Sequence, residues 1–531
     1  MQNIYRILFL ILALGAGWGS SVFSQEQEQK PYWGKLNGSV DASFGFYKKD
    51  SLNPDLDKFG TNTYINLDYT FKNFSAGLQY EIFEPPMRGF ESKLEGNKLT
   101  QYYLNYAGER YNVTVGSFFE QFGSGLTFRS YEERMLGINT SLRGVSINAT
   151  PVNWIHLKAF SGQPRKFLSY GESWVSGLDG DFIVSQLWNK EQNYSLSVGG
   201  SWVMRNNFST YEDISIEPDP VHLASARVAL NSNNVNVSVE YAFKDQAMNY
   251  SGELGKFVNQ SGDAILVNID YILDGFGVSG AFRRLEHMEF RADNEPIMSP
   301  IVALNYIPAL TKQHKYALPG LYPYIPNIEG EIGGQVDLFW DISAGRYPIK
   351  TSLNASMYRT LGPNVQLTMP FFGEDGEQLY TEAGIEMERR FSRTFKSTLG
   401  FYFQDKVDLV EGRVKSYTKF VDLLWRINRK TSFRTEVQHM NTQMKDKSWI
   451  YGLVEVGFAP HLMVYTNGMY NYGAESDVRE FFYNVGGSYT YKSLRASIDY
   501  GKNKAGNQCV GGICRFVPGY TGATVTLTYV F

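Results

Sequence analysis

From residue 35 onward the chain alternates between apolar and polar side chains. Ile65, Leu67, Tyr69 and Phe71 fall on one face of an extended segment, and Tyr64, Asn66, Asp68 and Thr70 fall on the other. Val235, Val237, Val239, Tyr241 and Phe243 alternate in the same way with Asn236, Ser238, Glu240 and Ala242. Ile265, Val267, Ile269, Tyr271 and Leu273 repeat the pattern near residue 270. A period of two predicts β-strands with one apolar and one polar face. The segments run for about 10–14 residues, roughly twice an ordinary soluble strand and enough to cross a bilayer when tilted. A sheet in lipid cannot leave its edge N–H and C=O groups unpaired, so such strands must close into a barrel. The fold expected is all-β, a transmembrane antiparallel β-barrel over residues 35–531.

Short and long connections take turns along the chain. Tight turns are expected at Lys72-Asn73, Ala107-Gly108-Glu109, Pro151-Val152-Asn153, Asn189-Lys190, Ser232-Asn233, Asp274-Gly275, Ile342-Ser343-Ala344-Gly345, Ser392-Arg393, Asn428-Arg429, Ala459-Pro460 and Lys492-Ser493. Eleven such turns, with both ends of the barrel on the same side, predict about 24 strands, with a range of roughly 22–26. The longer connections include Met87 to Lys98, Gly162 to Asp181, Arg291 to Asn327 and Leu361 to Glu377.

Composition sharpens this picture. In 531 residues, 15% are aromatic, with Tyr 36 and Phe 36 well ahead of Trp 9. Two aromatic girdles around a wide barrel account for that excess. The formal net charge of -4 gives no reason to expect a nucleic-acid partner. Residues 1–24 read as a signal peptide, with Arg6 ahead of an apolar run from Ile7 to Ala16 and small side chains at Val22 and Ser24. A short periplasmic segment, 25–34, is expected to precede the barrel and leaves no room for an N-terminal plug or periplasmic modules. Outer-membrane lipid is the implied environment. Val525, Leu527, Tyr529 and Phe531 alternate with threonines at the end of the chain. Tyr529 and Phe531 resemble the signal by which the barrel-assembly machinery recognises its substrates.

The densest charge lies in the third long connection, Phe119-Glu120-Gln121-Phe122-Gly123-Ser124-Gly125-Leu126-Thr127-Phe128-Arg129-Ser130-Tyr131-Glu132-Glu133-Arg134, with Arg143 beyond it. Arg129, Glu132, Glu133, Arg134 and Arg143 are expected to point into the lumen. There they would form an internal ion-pair network or a constriction; a solvated surface loop is the third reading. This stretch, Leu142-Arg143-Gly144 after it, and Cys509-Val510-Gly511-Gly512-Ile513-Cys514-Arg515-Phe516-Val517-Pro518 together resemble motifs of a Bacteroidota outer-membrane barrel family of unknown function. The resemblance covers the mature chain. It implies a barrel, without a reaction or a ligand.

Cys509 and Cys514 are the only thiols, and in an exported protein two such neighbours are expected to pair. A zinc site is the weaker reading, because no His or carboxylate stands beside them. The connection Arg291 to Asn327 holds six of the 19 prolines together with Tyr306, Tyr316, Tyr322 and Tyr324. It reads as a surface loop, with a partner-binding loop or an inward plug as alternatives. The six histidines form no recognisable nucleophile arrangement, and no metal or cofactor motif appears. An enzyme is therefore not expected, and no cofactor is implied. Two functions fit: a porin-like channel for polar solutes, or a closed, non-conducting barrel that serves as scaffold or accessory subunit of an envelope complex, with protein partners at its outer loops.

Overall fold

The computed structural model describes residues 33–49, 58–188, 193–206, 220–251, 256–292, 300–361, 376–408, 412–443, 447–475 and 478–531. The leader 1–24 and most of the segment 25–34 lie outside the described residues. Twenty-four long strands, from Lys35–Tyr47 to Tyr520–Val530, form one antiparallel sheet that closes on itself. Each pairs with its neighbour in the chain, and the first pairs with the last: Val40 faces Tyr529 and Ala42 faces Leu527. The strands span 8 to 18 residues. No helix is long and apolar enough to cross a membrane among the described residues.

Alternation decides which way each side chain points. Leu78, Leu104, Val115, Leu157, Leu178, Val228, Ile269, Val336, Val485 and Ile498 are exposed on the outside of the wall. Exposed rings circle both ends, with Phe74, Trp340, Trp425, Phe458 and Tyr491 at the end that holds the termini. Phe46, Trp174, Phe243, Tyr417, Phe481 and Tyr500 circle the other, called distal below. An apolar belt between two aromatic rings is the exterior that a bilayer requires.

Ten of the eleven expected turns join consecutive strands through two to six residues. The eleventh is longer: between Phe182 and Tyr194 a 3-10 turn, Val184–Leu187, precedes Asn189-Lys190, which lie outside the described residues. The long connection expected at Gly162 to Asp181 is mostly strand, because Ile155–Lys166 and Trp174–Phe182 run into it from either side. Its Ser and Gly residues carry no alternation and so hid the pairing. Between Gln79 and Tyr80 the register shifts. Beyond that shift the Thr100 hydroxyl donates to the inward-facing Glu81 carboxylate at 2.9 Å.

Candidate functional site

The lumen is not empty. Three long connections, the third (Phe119–Ser141), the described parts of the seventh (residues 287–292 and 300–329) and the twelfth (residues 504–519), fold into the distal end of the barrel. The reason lies in the wall. Phe118, Leu142, Phe160, Val175, Val203, Leu223, Ala242, Ala264 and Leu285 take the inward parity of their strands and form an apolar patch. Water there would be costly to keep. Phe122, Leu126, Phe128, Leu136 and Ile138 of the third connection cover the patch, as do Met288, Phe290 and Leu304 of the seventh. The Phe128 ring lies 4.5 Å from Phe160 and 5.9 Å from Phe122, and Phe128 is fully buried. The barrel thus has a hydrophobic core on the inside of a wall that is also apolar on the outside.

Polar groups fix the third connection in place. Glu120 accepts from Lys158 Nζ at 3.0 Å, Asn148 Nδ2 at 3.1 Å and Ser146 Oγ at 3.2 Å, all inward-facing wall groups. Gly123 has φ +49°, and a Cβ there would lie 2.6 Å from the Glu240 carboxylate. That carboxylate accepts the Ser124 N–H at 2.8 Å, so the bend needs glycine for both its angle and its close approach. Arg134 donates to Asp41 at 2.6 Å and to Glu132 at 2.9 Å, and its guanidinium stacks over Tyr64. Glu132 also accepts from Gln79 at 2.7 Å and Asn139 at 2.9 Å. The Arg129 guanidinium sits 3.8 Å from the Tyr306 ring centre and 5.1 Å from that of Tyr131. Glu133 stays within its own turn and accepts the Met135 N–H. Glu132 and Arg134 are therefore brought together against the wall, while Arg129 joins the third connection to the seventh through Tyr306.

Arg143 departs from the inward orientation expected of it. It pairs with Ser117 and Gln163 in register and shares the outward parity of Val145 and Ile147. Its guanidinium stacks over Tyr170 and donates to Gln163. The side chain is long and charged but the strand parity is fixed, and Tyr170 supplies a cation–π surface at the rim.

The seventh connection is likewise an inward segment and not the surface loop its prolines suggested. Tyr316 packs at a tilt against Phe420 with ring centres 3.7 Å apart, and Tyr324 stacks on Tyr358 and Tyr380 at 4.8 and 5.0 Å. Tyr324 donates to Glu331, whose carboxylate also holds Arg283 at 2.7 Å and the Asn327 N–H at 2.7 Å. Burial, reinforced by Glu331, pushes the Tyr324 phenol well above its ordinary range, so it remains a donor. His314 Nε2 meets Glu382 at 2.8 Å, Lys312 pairs with Glu386 at 3.2 Å, and the Leu318 N–H donates to Gln438 at 2.9 Å. The inserted segments thus touch wall strands around the whole circumference, from Asp41 on the first strand to Gln438 and beyond. The sequence reading did not single out Glu331 or Arg283, and it named Glu120 and Glu240 without giving them a role at the site. Charge at inward parity was the available signal.

The twelfth connection is a hairpin, Gly506–Val510 and Ile513–Val517, turned at Gly511 and Gly512 with φ of +57° and +83°. Two successive positive φ angles define the tight hairpin turn that two glycines favour. Cys509 faces Cys514 across it, and the two form a disulfide. Gly512 O accepts the Ala309 N–H at 3.0 Å, and Gly511 O accepts from the Tyr306 hydroxyl. Arg515 stacks 3.7 Å over Phe90 and donates to Met135 O at 2.9 Å, and burial pulls its guanidinium down to about 10, still charged at neutral pH. The hairpin therefore clamps the other two segments. Tyr529 and Phe531 stack on each other at 5.8 Å on the closing strand, where Phe531 exchanges backbone hydrogen bonds with Gly38.

The fold is that of large outer-membrane barrels. The P pilus usher (PapC) translocation pore is 10% identical, with 93% of this chain and 99% of that chain covered and a TM-score of 0.45. A chain of the E. coli P pilus tip assembly intermediate PapC-PapD-PapK-PapG is 10% identical, with coverage of 96% and 63% and a TM-score of 0.51. The siderophore receptor PirA from Pseudomonas aeruginosa is also 10% identical, with coverage of 94% and 80% and a TM-score of 0.42. No curated protein matches the chain. Residues 1–531 match the model of a family of unknown function, DUF6029, and the chain belongs to that family.

Proposed function

We propose that this protein is a barrel of a Gram-negative outer membrane, held shut at rest by its own third, seventh and twelfth long connections, with the termini on the periplasmic side. The observation that carries this reading is the hydrophobic core inside the lumen, continuous from Phe118 and Phe160 through Phe122 and Phe128 to Met288 and Leu304. An open water-filled porin has no use for such a core, whereas a plug needs one. Glu132 and Arg134 then act as an internal network that seats the plug on the wall, and Arg129 holds the third connection to the seventh; none of them forms a selectivity ring. The Cys509–Cys514 bridge fits the oxidising side of the envelope. Tyr529 and Phe531 serve as the signal to the assembly machinery. A closed barrel fits the role of scaffold or accessory subunit, with protein partners at the distal end.

A gated passage for polar solutes is the second reading. It is favoured by a cavity of about 400 Å³ left between residues 311–324 and the wall. Planar-bilayer recording separates the readings. The intact protein is expected to show no steady current, and a variant with residues 306–326 replaced by a short Gly/Ser linker is expected to conduct. A steady open-state current from the intact protein would sink the closed-at-rest reading and restore the porin.

A further inference from the structure

A second cleft lies at the end of the barrel that holds the termini. It measures about 360 Å³ and opens between two short turns, residues 343–348 and 391–394. Arg346, Arg389, Arg390 and Arg393 line it together with Tyr347 and Phe391, and no carboxylate does. Residues 341–350 and 388–396 carry six cations, Arg346, Lys350, Arg389, Arg390, Arg393 and Lys396, against Asp341 and Glu388 alone, in a chain whose net charge is -4. Glu388 is already taken by Lys396 at 2.8 Å. Among the described residues, no carboxylate forms an ion pair with any of the four cleft arginines. Like charges gathered this closely repel one another, and an anion between them relieves the repulsion.

Position decides which anion can reach them. Arg389 ends the outward face of strand Gln378–Arg390, after Ala383, Ile385 and Met387. Met387 faces Leu399 on the next strand, and both side chains are exposed. That apolar surface leads directly to the cleft. Trp340, Phe391 and Trp425 are exposed along the same stretch of rim, where an aromatic girdle marks the headgroup level of a bilayer. The Arg389 guanidinium donates to Ala344 O at 3.3 Å, which ties one turn to the other, and it lies 5.2 Å from the Phe391 ring centre. A cation on the lipid face at this depth keeps its stem on the apolar wall and its charge among headgroups. The fork of an arginine matches phosphate oxygens in pairs. A free phosphate would use the cleft alone, whereas a phospholipid uses both the cleft and the apolar surface beside it.

We propose that this cleft holds the headgroup phosphate of an anionic phospholipid from the adjoining leaflet, with an acyl chain along Met387 and Leu399. The site rests on the barrel's place in a membrane and not on its closure, so lipid binding and conductance can fail separately.

The test uses the full-length protein in detergent micelles, stripped of lipid, with folding verified by heat-modifiable gel mobility. Native mass spectrometry reads binding of the first lipid during titration with dioleoylphosphatidylglycerol, and with dioleoylphosphatidylcholine as the zwitterionic control. Phosphatidylglycerol is expected to bind at least about tenfold more tightly than phosphatidylcholine. Arg389→Gln/Arg393→Gln is expected to weaken phosphatidylglycerol at least about tenfold and so remove most of that preference. Lys72→Gln/Lys492→Gln removes equal charge from two other turns at the same end. It is expected to change the affinity less than about twofold, because charges that far away are screened. An excess of glycerol 3-phosphate is expected to leave the lipid bound. Equal affinity for the two lipids, an unchanged preference in the arginine variant, an equal loss in the lysine variant, or displacement by glycerol 3-phosphate would overturn the proposal.

Discussion

Replacing Glu331 with alanine removes the acceptor that joins the wall to the plug. Glu331 is 0% exposed and Arg283 1% exposed, and they meet at 2.7 Å. The same carboxylate receives the Tyr324 hydroxyl and the Asn327 N–H. Breaking a buried pair from one side costs about 3–5 kcal/mol, because the remaining charge stays buried without its counter-ion. The cost falls on the closed seat of residues 303–327, since the strand ladder on either side of Glu331 is untouched. Opening of that segment should therefore become more frequent by about two to three and a half powers of ten. Hydrogen exchange with mass spectrometry reads this directly. Peptides across 303–327 should exchange faster by that factor in Glu331→Ala, while strand Leu462–Tyr470 serves as the unchanged reference. The double variant Arg283→Met/Glu331→Leu should recover the part of the protection lost to the uncompensated Arg283 charge, while the Tyr324 hydroxyl, the Asn327 N–H and Pro308 O remain without their partners. Unchanged exchange in the single variant, or a double variant as open as the single, would refute the argument that this pair seats the plug.

Two further outcomes follow from the same architecture. Phe128→Ala should destabilise the lumen core by about 3–5 kcal/mol, the cost of a large buried cavity. Val485→Ala on the outer wall should cost much less, and heat-modifiable mobility on gels compares the two. Cys514→Ser should remove about 2 kcal/mol from the hairpin, as expected for a short closed loop. The amides near Ala309, bonded to Gly512, should then exchange faster, and a reductant applied to the intact protein should reproduce the change.

The wall could be read from the chain because a half-apolar strand writes its environment into every second residue. Ile65, Val237 and Ile269 faced outward as their parity required, and ten of the turns fell where Gly, Asn and Ser clusters marked them. The contents of the lumen could not be read in the same way. Tyr316 and Tyr324 sit in a proline-rich stretch without periodicity, and only Phe420, Tyr402 and Tyr358, distant in sequence, decide that they are buried. Arg143 shows the opposite error. Its charge suggested an inward side chain, but Val145 and Ile147 on the same face already fixed it outward. Glu331 and Arg283 were visible as charges at inward parity, yet nothing local distinguished a seat for the plug from a hydrated wall.

Pairing of the first strand with the last has a consequence for how the molecule closes. The seam joins Lys35–Tyr47 to Tyr520–Val530, so no ring exists until both ends of the barrel sequence are in place. The disulfide hairpin comes immediately ahead of the closing strand, and its glycine carbonyls receive Tyr306 and Ala309. The clasp on the contents and the strand that seals the wall are neighbours in the chain, so seating one brings the other to its place.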